Sequence, residues 1–381
     1  MNRRVAIAGV GLADTGGVPD PSPFTMLARA SRAALSDAAL EPSDIDGFAS
    51  TDLGILPPIE VAEFLGLRPN WVDGTSIGGA TWEVMASHAV DAIANGHADV
   101  ILLAYGSTAR SDMRRGLRSA NRSWGTRGPA QYEAPHGATL VSKYAMAARR
   151  HMHDYGTTIE QLAEVAVQAR AFAQLNPAAE RRDPLTVDEV NSSRPIADPF
   201  TALHCCLRSD GGAAAVLVAE DRVADLPMHP VWVLGSAECT SHTTMSEWRD
   251  FTRSPAAVSG PVAFGRAGVG PADVDVCELY DAFTYSVLVT LEDLGFCSLG
   301  ESGDFVQSVG IGPGGGLPVN TDGGGLSACH PGMRGLYLLV EATRQLRGES
   351  GPRQVDSPEV ACVSGTGGWF SSSATMVLGR D

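Results

Sequence analysis

Short apolar runs alternate along this chain with longer segments of helical spacing. Residues 5–11 (VAIAGVG), 98–107 (ADVILLAYGS) and 211–219 (GGAAAVLVA) are almost wholly apolar, as in strands buried on both faces. Residues 23–40 and 78–96 space their apolar side chains three and four positions apart, as in helices that cover a sheet. The pattern predicts an α/β fold in which helices cover mostly parallel strands.

The second half of the chain repeats this order. Residues 231–237 (VWVLGSA) and 360–365 (VACVSG) again predict buried strands, and each half contains a strand, glycine turn, helix and strand. The rhythm predicts a duplicated unit, with an N-terminal half of residues 1–225 and a C-terminal half of residues 226–381. Residues from 108 to about 200 are rich in arginine and proline and indicate a cap or loop insertion in the first half.

Composition narrows the class of protein. The 28 basic and 44 acidic residues give a formal charge of −16, which argues against nucleic acid or an anionic membrane as the main partner. No apolar run approaches the roughly 20 residues that a membrane helix needs. The seven cysteines have no framework spacing, so we expect reduced thiols and a cytoplasmic protein.

Two polar features of the insertion are candidates for chemistry. Lys143 is the single lysine, so Schiff-base chemistry would rest on it alone, but its place near a helix start predicts a solvated side chain. The histidines in residues 151–156 (HMHDYG) are two positions apart and diverge on a helix, which favours a solvated helix end over a metal site. No metal is predicted.

Three segments resemble sterol-carrier-type thiolases. Residues 320–349 (NTDGGGLSACHPGMRGLYLLVEATRQLRGE) resemble the segment running from an asparagine to a GHP motif, with Asn320 and His330 spaced like the family's asparagine and catalytic histidine. Residues 277–297 resemble its HDCF-type segment, with Tyr280 where the family has histidine. Residues 203–219 resemble the stretch that closes the N-terminal half. The resemblance implies a thiolase fold, a duplicated five-layer αβαβα arrangement, and a homodimer.

The chain departs from thiolases at the nucleophile. A thiolase forms its acyl-enzyme on a cysteine at the N-terminus of a buried helix, and residues 78–83 (GGATWE) hold that place here. The first cysteine of the chain is Cys205. The resemblance therefore narrows to thiolase-like aldolases that remove a steroid side chain as a CoA thioester together with a small OB-fold, zinc-ribbon partner. These have tyrosine at the position of Tyr280 and tend to have tyrosine at that of His330.

The resemblance implies a carbon–carbon lyase. It would cleave a β-hydroxyacyl-CoA, such as a steroid side-chain thioester, by a retro-aldol reaction to a ketone and a shorter acyl-CoA. Coenzyme A belongs to the substrate, and no separate cofactor is expected. Tyr280 and His330 would share the proton transfers, in an order that the sequence leaves open, and Asn320 would orient a water or the thioester.

Further candidates are less specific. Asp281 is a weaker catalytic candidate and is expected to cap the helix at residues 282–294. Gly367 and Gly368 would offer backbone N–H groups to an oxyanion or form a plain tight turn. Cys362 roughly matches the second, proton-transferring cysteine of thiolases, with burial as a small apolar residue the alternative.

An arginine cluster opens the insertion. Arg110, Arg114 and Arg118 belong to it and would bind the phosphates of CoA through paired N–H donors, or would meet an acidic partner chain. Two other functions stay open. One is acyl transfer or thiolysis on an unorthodox cysteine, for which Cys329 and Cys362 are the candidates, and the other is a non-catalytic scaffold that binds acyl-CoA.

Overall fold

The computed structural model describes residues 3–13, 21–116, 128–137 and 139–380. Its strands form one large sheet and one small one. The described strands are β1 (Val5–Leu12), β2 (Gly47–Ala49), β3 (Trp71–Asp73), β4 (Val100–Ser107), β5 (Pro195–Ala197), β6 (Phe200–Thr201), β7 (Gly211–Ala219), β8 (Val231–Thr240), β9 (Val276–Leu279), β10 (Val360–Gly367) and β11 (Ser372–Gly379).

The described α-helices are α1 (Pro23–Ala38), α2 (Pro57–Phe64), α3 (Thr81–Ala94), α4 (Ala109–Arg114), α5 (Leu140–Tyr155), α6 (Ile159–Leu175), α7 (Val187–Ser192), α8 (Glu220–Val223), α9 (Ala256–Ala267), α10 (Thr284–Asp293), α11 (Ser302–Ser308) and α12 (Gly335–Arg347). A π-helical turn at Gly324–Ala328 lies between α11 and α12.

The large sheet has nine strands in the order β3-β2-β4-β7-β1-β8-β11-β10-β9. Its first five strands come from the first half of the chain and its last four from the second, and β1 joins them by pairing with β8 at Ala6 and Ile7. Only β2–β3, β2–β4 and β9–β10 are parallel pairs. The expectation of mostly parallel strands is therefore wrong, because β7 and β11 run antiparallel between their neighbours.

The helices form three layers around the sheet. Helix α1 covers β1, β4 and β7, whereas α9 covers β8 and β11. Helices α3 and α12 contact each other and strands of both halves, so they make a central layer. Strand β4 shows why its run is continuously apolar, since Val100 and Leu102 pack in the core beneath α1 while Ile101 and Leu103 pack in the central core. The strands of the first half lie between α1 and the central layer, and those of the second half lie between α9 and the central layer. The single sheet therefore supplies both β layers of the five-layer αβαβα arrangement of the thiolase fold.

Two side chains of α5 that were expected in solvent are buried. Lys143 is ion-paired with Glu133, and its ammonium lies 3.4 Å from the centroid of the Trp369 ring. His151 is fully buried, with 3.1 Å between its Nε2 and Oε2 of Glu292. The prediction of a solvated position is wrong for Lys143 and His151, because protein partners replace water around these groups, but it is confirmed for His153, whose side chain is exposed.

The described part of the insertion adds no strand to the nine-stranded sheet. It contributes α4 to α7 and the separate two-stranded sheet of β5 and β6. The boundary between halves at residues 225 and 226 stays a prediction. None of the described helices combines the length and apolarity that a bilayer crossing requires.

We expect Gly9→Ala to lower the free energy of unfolding by about 3 kcal/mol, because β1 and α1 meet backbone to backbone. A Cβ atom at Gly9 would overlap the Ala34 carbonyl oxygen and lie 2.8 Å from the Cβ of Ala38. The matched control is Gly265→Ala on α9, where a Cβ meets nothing within 4 Å and alanine should stabilise the helix by roughly 0.5–1 kcal/mol. Urea titration measures both; equal stability of the two variants would refute the close packing of α1.

Candidate active site

The ring of Tyr280 lies at the entrance to α3. Tyr280 follows the last residue of β9, and its N–H donates to the Ser364 carbonyl at 3.0 Å, which extends the pairing with β10 by one residue. A Cβ atom at Gly79, two residues before α3, would overlap the Cζ and Cε2 atoms of Tyr280. A side chain at position 79, such as that of a cysteine, is therefore incompatible with this ring position, and residues 78–83 are the region where the resemblance expects a thiolase's nucleophile.

His330 lies against the same ring. The centroids of the Tyr280 and His330 rings are 5.5 Å apart, and their planes are inclined by 82°. Two backbone contacts with Ser209 hold the histidine: its N–H donates to the Ser209 Oγ at 3.1 Å, and the Ser209 N–H donates to its carbonyl at 3.1 Å. A Cβ atom at Gly325 would lie 2.9 Å from His330 Cδ2, so the absence of a side chain there makes room for the imidazole. The structure thus brings the two predicted residues together.

Burial keeps both rings neutral. Desolvation, assisted by the positive charge of Arg334, lowers the pKa of His330 to about 4. Its Nε2 is buried without a hydrogen-bond partner among the described residues, so it is available to a ligand. Desolvation first, and Cys206 next, raise the pKa of Tyr280 well above its usual 10. At neutral pH the site offers a neutral imidazole and a protonated phenol.

Asp281 supports the floor of the site rather than the helix that follows it. Its carboxylate accepts from the Gly325 N–H at 2.7 Å and the Leu326 N–H at 3.1 Å, and thereby caps the π-helical turn. Burial raises the pKa of Asp281 to about 6, while Arg334 opposes that rise. The prediction that Asp281 caps a helix at residues 282–294 is wrong. Helix α10 begins at Thr284 without a contact from Asp281, because the carboxylate is directed at the π-helical turn.

Arg334 is a functional residue that the sequence reasoning missed. It is fully buried, paired with Asp322, and its Nε lies 3.6 Å from Oδ1 of Asp281. One of its terminal nitrogens donates to the Cys329 carbonyl at 3.2 Å. The cation therefore fixes the loop that carries His330 and keeps that imidazole neutral. Its signal in the sequence was its position four residues after His330 and directly before Gly335.

Asn320 orders the end of β9. Its Oδ1 accepts from the Leu279 N–H at 2.7 Å, and its own N–H donates to the Cys277 carbonyl at 2.9 Å. Asn320 has a φ of 55°, in the left-handed region that asparagine tolerates better than most residues. These contacts position the residue just before Tyr280. A role of Asn320 toward a water or the thioester stays a prediction.

Gly367 and Gly368 lie beside the same helix entrance. A Cβ atom at Gly78 would lie 2.7 Å from the Gly368 N, so these two backbone segments touch. The Ser371 N–H donates to the Gly367 carbonyl at 2.9 Å, which closes the tight turn between β10 and β11. The plain turn is therefore present, and an oxyanion role for the two N–H groups stays a prediction.

No cysteine of the site is activated as a nucleophile. Cys206 is close enough to Tyr280 to raise its pKa, and burial in turn raises the pKa of the Cys206 thiol. Burial also raises the pKa of Cys329, to about 11. Cys362 is buried in register with Cys277 of the adjacent strand. Arg208 and Arg334 act against the rise at Cys206 and Cys329, but burial outweighs these cations, so neither thiol is held as a nucleophilic thiolate.

The arginines expected at CoA are spread around α4. Arg110 is ion-paired with Glu180 and donates through Nε to the Arg208 carbonyl at 2.7 Å, so protein groups already occupy much of its guanidinium. Arg114 is exposed near the end of α4. Arg118 lies outside the described residues. Binding of CoA phosphates by these residues stays a prediction.

The second residue that the sequence reasoning missed is Glu83, on the first turn of α3. It is 0% exposed, and neither carboxylate oxygen has a hydrogen-bond partner among the described residues. Burial raises its pKa to about 8. The available signal was one acidic residue within the otherwise apolar or small run of residues 80–87 (ATWEVMAS).

Known proteins resemble this chain over its full length. A family profile described as thiolase C-terminal domain-like matches residues 237–380. A steroid side-chain-cleaving aldolase of Thermomonospora curvata is 34% identical, covering 99% of this chain and 98% of its own. A 17-hydroxy-3-oxo-4-pregnene-20-carboxyl-CoA lyase of Mycobacterium tuberculosis is 34% identical, covering 96% and 97%. An acetyl-CoA acetyltransferase of Methanothermobacter thermautotrophicus is 33% identical, covering 99% and 100%.

A solved structure shares the fold. The Ltp2-ChsH2(DUF35) aldolase superposes with a TM-score of 0.88 at 33% identity, over 99% of this chain and 98% of that one. Overall identity is nearly the same for aldolase, lyase and acetyltransferase relatives, so the residues of the site must distinguish between these activities. The chain belongs to the thiolase superfamily, among the sterol-carrier-type thiolase-like proteins without a cysteine at the nucleophile position, and resembles the steroid side-chain-cleaving aldolases.

Proposed function

We propose that this protein is a carbon–carbon lyase that cleaves a β-hydroxyacyl-CoA by a retro-aldol reaction, giving a ketone and a shorter acyl-CoA. The observation that carries the proposal is the Tyr280 ring, which packs on Gly79 at the entrance to α3 and nearly perpendicular to the ring of His330. The names of two full-length relatives, a steroid side-chain-cleaving aldolase and a carboxyl-CoA lyase, support the same reaction.

The geometry suits the charges that this cleavage moves. Breaking the C–C bond leaves its electron pair on the thioester as an enolate, and a hydrogen bond to the enolate oxygen stabilises that charge. The unpartnered Nε2 of His330 is the group we assign to this bond, in the tautomer that carries its proton there. Tyr280 then handles the proton of the substrate hydroxyl. That proton ends on the α-carbon, so the reaction consumes neither an oxidant nor a cofactor.

Acyl transfer on a cysteine is the competing activity, because the acetyltransferase relative is 33% identical to this chain. The site argues against it, since the thiol of Cys206, which contributes to the raised pKa of Tyr280, is held protonated by burial. The scaffold hypothesis leaves unexplained why a neutral imidazole with a free nitrogen faces a phenol in a buried site. The lyase accounts for both features.

The substrate and the partner follow from the relatives in a weaker way. The compound in the name of the lyase relative makes a steroid side-chain thioester the first substrate to test. The solved relative is named together with ChsH2, a DUF35 protein, which supports a heteromeric assembly of the kind the sequence resemblance implies. Formation of a homodimer, a cytoplasmic location and an OB-fold with a zinc ribbon in the partner stay predictions from the sequence.

Tyr280→Phe should reduce cleavage at least about 100-fold, because it removes the hydroxyl that moves the proton but keeps the ring on Gly79. The assay incubates the protein, alone and with a DUF35 partner, with 17-hydroxy-3-oxo-4-pregnene-20-carboxyl-CoA and measures ketone and acyl-CoA by chromatography. Tyr285→Phe is the control, since Tyr285 lies on α10 and its hydroxyl donates to the Phe251 carbonyl at 3.2 Å. Full turnover by Tyr280→Phe would reject the assigned role.

The pH profile should show no break from His330. Since its pKa is lowered to about 4, the imidazole is already neutral above about pH 5, and log(kcat/KM) should pass through pH 6.5 without an inflection. His330→Gln can still donate a hydrogen bond and should lose less activity than His330→Ala, for which we expect a loss of about 100-fold or more. An inflection near pH 6.5 that disappears in His330→Gln would show that the protonated imidazole is involved instead.

Removal of the thiols should leave cleavage intact. A variant with Cys206→Ala, Cys329→Ala and Cys362→Ala should keep kcat within about threefold of the wild type, because no step of an aldolase passes through sulfur. Mass spectrometry of the wild type quenched during turnover should detect no acylated peptide. An acylated cysteine together with an inactive variant would establish acyl transfer and reject the lyase.

A further inference from the structure

Glu83 is buried in a place built from two glycines. A Cβ atom at Gly335, the first residue of α12, would lie 2.7 Å from the Glu83 Oε1, and a Cβ at Gly365 of β10 would overlap its Oε2. Both oxygens lack a hydrogen-bond partner among the described residues. A buried carboxyl without partners destabilises a fold, and such groups are rare in native structures unless they serve a function.

Glu83 lies one helical turn beyond Gly79, against which the ring of Tyr280 packs, and it is among the groups that raise the pKa of Tyr280. Glu83 follows Gly79 by four residues, and side chains on a helix lean toward its N-terminus, so the carboxyl reaches back toward Gly79. A Cβ at Gly335 would also lie 2.8 Å from the Gly79 carbonyl oxygen, which places carbonyl and carboxyl against the same glycine. The Tyr280 ring packs on this same Gly79. Proton transfer between two such groups can run through one water.

Tyr280 needs such a neighbour. A neutral phenol can accept the proton of the substrate hydroxyl only if it passes its own proton to another base. His330 is too weak a base for this, with a pKa of about 4. Asp281 has a pKa of about 6, but its oxygens already accept from Gly325 and Leu326. Glu83 has free oxygens and a pKa of about 8, near the pH at which a general base works best.

The surroundings of Glu83 explain its affinity for a proton. Burial is the main cause of the raised pKa, and its own backbone N–H, which does not meet hydrogen-bond geometry with either oxygen, opposes the rise. The segments packed against the carboxyl present glycine, Gly335 from α12 and Gly365 from β10, and no charged group contributes to the shift among the described residues. Next to Gly335 in the sequence is Arg334, which is buried and charged. Its charge is balanced by Asp322 and Asp281.

We propose that Glu83 is the proton acceptor behind Tyr280, acting through the phenol and not on the substrate; this rests on the proposed retro-aldol function. The hydroxyl proton of the substrate moves to the Tyr280 oxygen while the phenol's own proton moves to the Glu83 carboxylate. The O–H electron pair becomes the ketone C=O bond, and the C–C pair becomes the enolate. The proton then returns through Tyr280 to the α-carbon, which restores both residues without any co-reactant.

Glu83→Gln tests this proposal, because it keeps the shape of the side chain and removes the base. We expect kcat to fall about 100-fold with KM little changed, since Glu83 does not contact the substrate. The carboxylate is the active form, so kcat of the wild type should rise with pH through about 8, and this rise should be absent from the variant. Ser87→Ala is the control one turn further along α3, where the Ser87 and Ser236 Oγ atoms are 2.9 Å apart, and it should keep the wild-type profile.

A stability measurement reads the same ionisation without any turnover. The pKa of Glu83 is about 8 in the folded protein against an ordinary 4.5, so the unfolded chain loses this proton first and stability falls as pH rises from 4.5 to 8. Glutamine has no such penalty. The melting temperature of Glu83→Gln minus that of the wild type should therefore grow between pH 5 and pH 8 and stay level above it.

The outcomes separate the two proposals. A folded Glu83→Gln with wild-type kcat and an unchanged pH profile would overturn the role of Glu83 and leave the lyase in place. Absence of cleavage by the wild type with its partner would overturn the proposed function, while the melting temperatures would still report the ionisation of Glu83. If the variant does not fold, the wild type decides, because a kcat that does not rise between pH 7 and pH 9 contradicts the proposal.

Discussion

The packing of the Tyr280 ring on the backbone of Gly79 is the constraint on which the site depends. It requires a residue without a side chain at the entrance to α3, the region where the resemblance expects a thiolase's cysteine. The Tyr280 ring and a side chain at position 79 thus exclude each other. Because α3 and α12 both pack in the central layer, the position of the Tyr280 ring also limits which side chains can lie beneath it.

Desolvation sets the chemistry around that ring. Burial lowers the proton affinity of His330 and raises that of Glu83, so both groups are neutral at pH 7 although their ordinary values would charge the carboxyl and partly charge the imidazole. A neutral pocket accepts a thioester without repelling it and meets developing negative charge with oriented donors. Polar atoms without partners weaken the fold, and their concentration here is the compromise expected between stability and activity.

Local sequence patterns predicted much of the architecture. The continuous apolar runs predicted doubly buried strands, and the resemblance to sterol-carrier-type thiolases implied that Tyr280 and His330 act together. Strand direction was not readable, because the returning strands β7 and β11 have the same composition as parallel ones. Arg334 and Glu83 were missed for another reason: whether a charged residue is buried depends on contacts made by distant segments, such as the glycines on α12 and β10 that surround Glu83.

The burial of Lys143 extends beyond the reaction. It is the single lysine of the chain, and its ammonium is enclosed between Glu133 and the face of Trp369. Amine-directed cross-linkers and coupling resins consequently meet no lysine on the surface of the native molecule. Acylation of Lys143 by such a reagent reports that the segment carrying Glu133 has moved away, so this residue is a built-in sensor of opening in the inserted region.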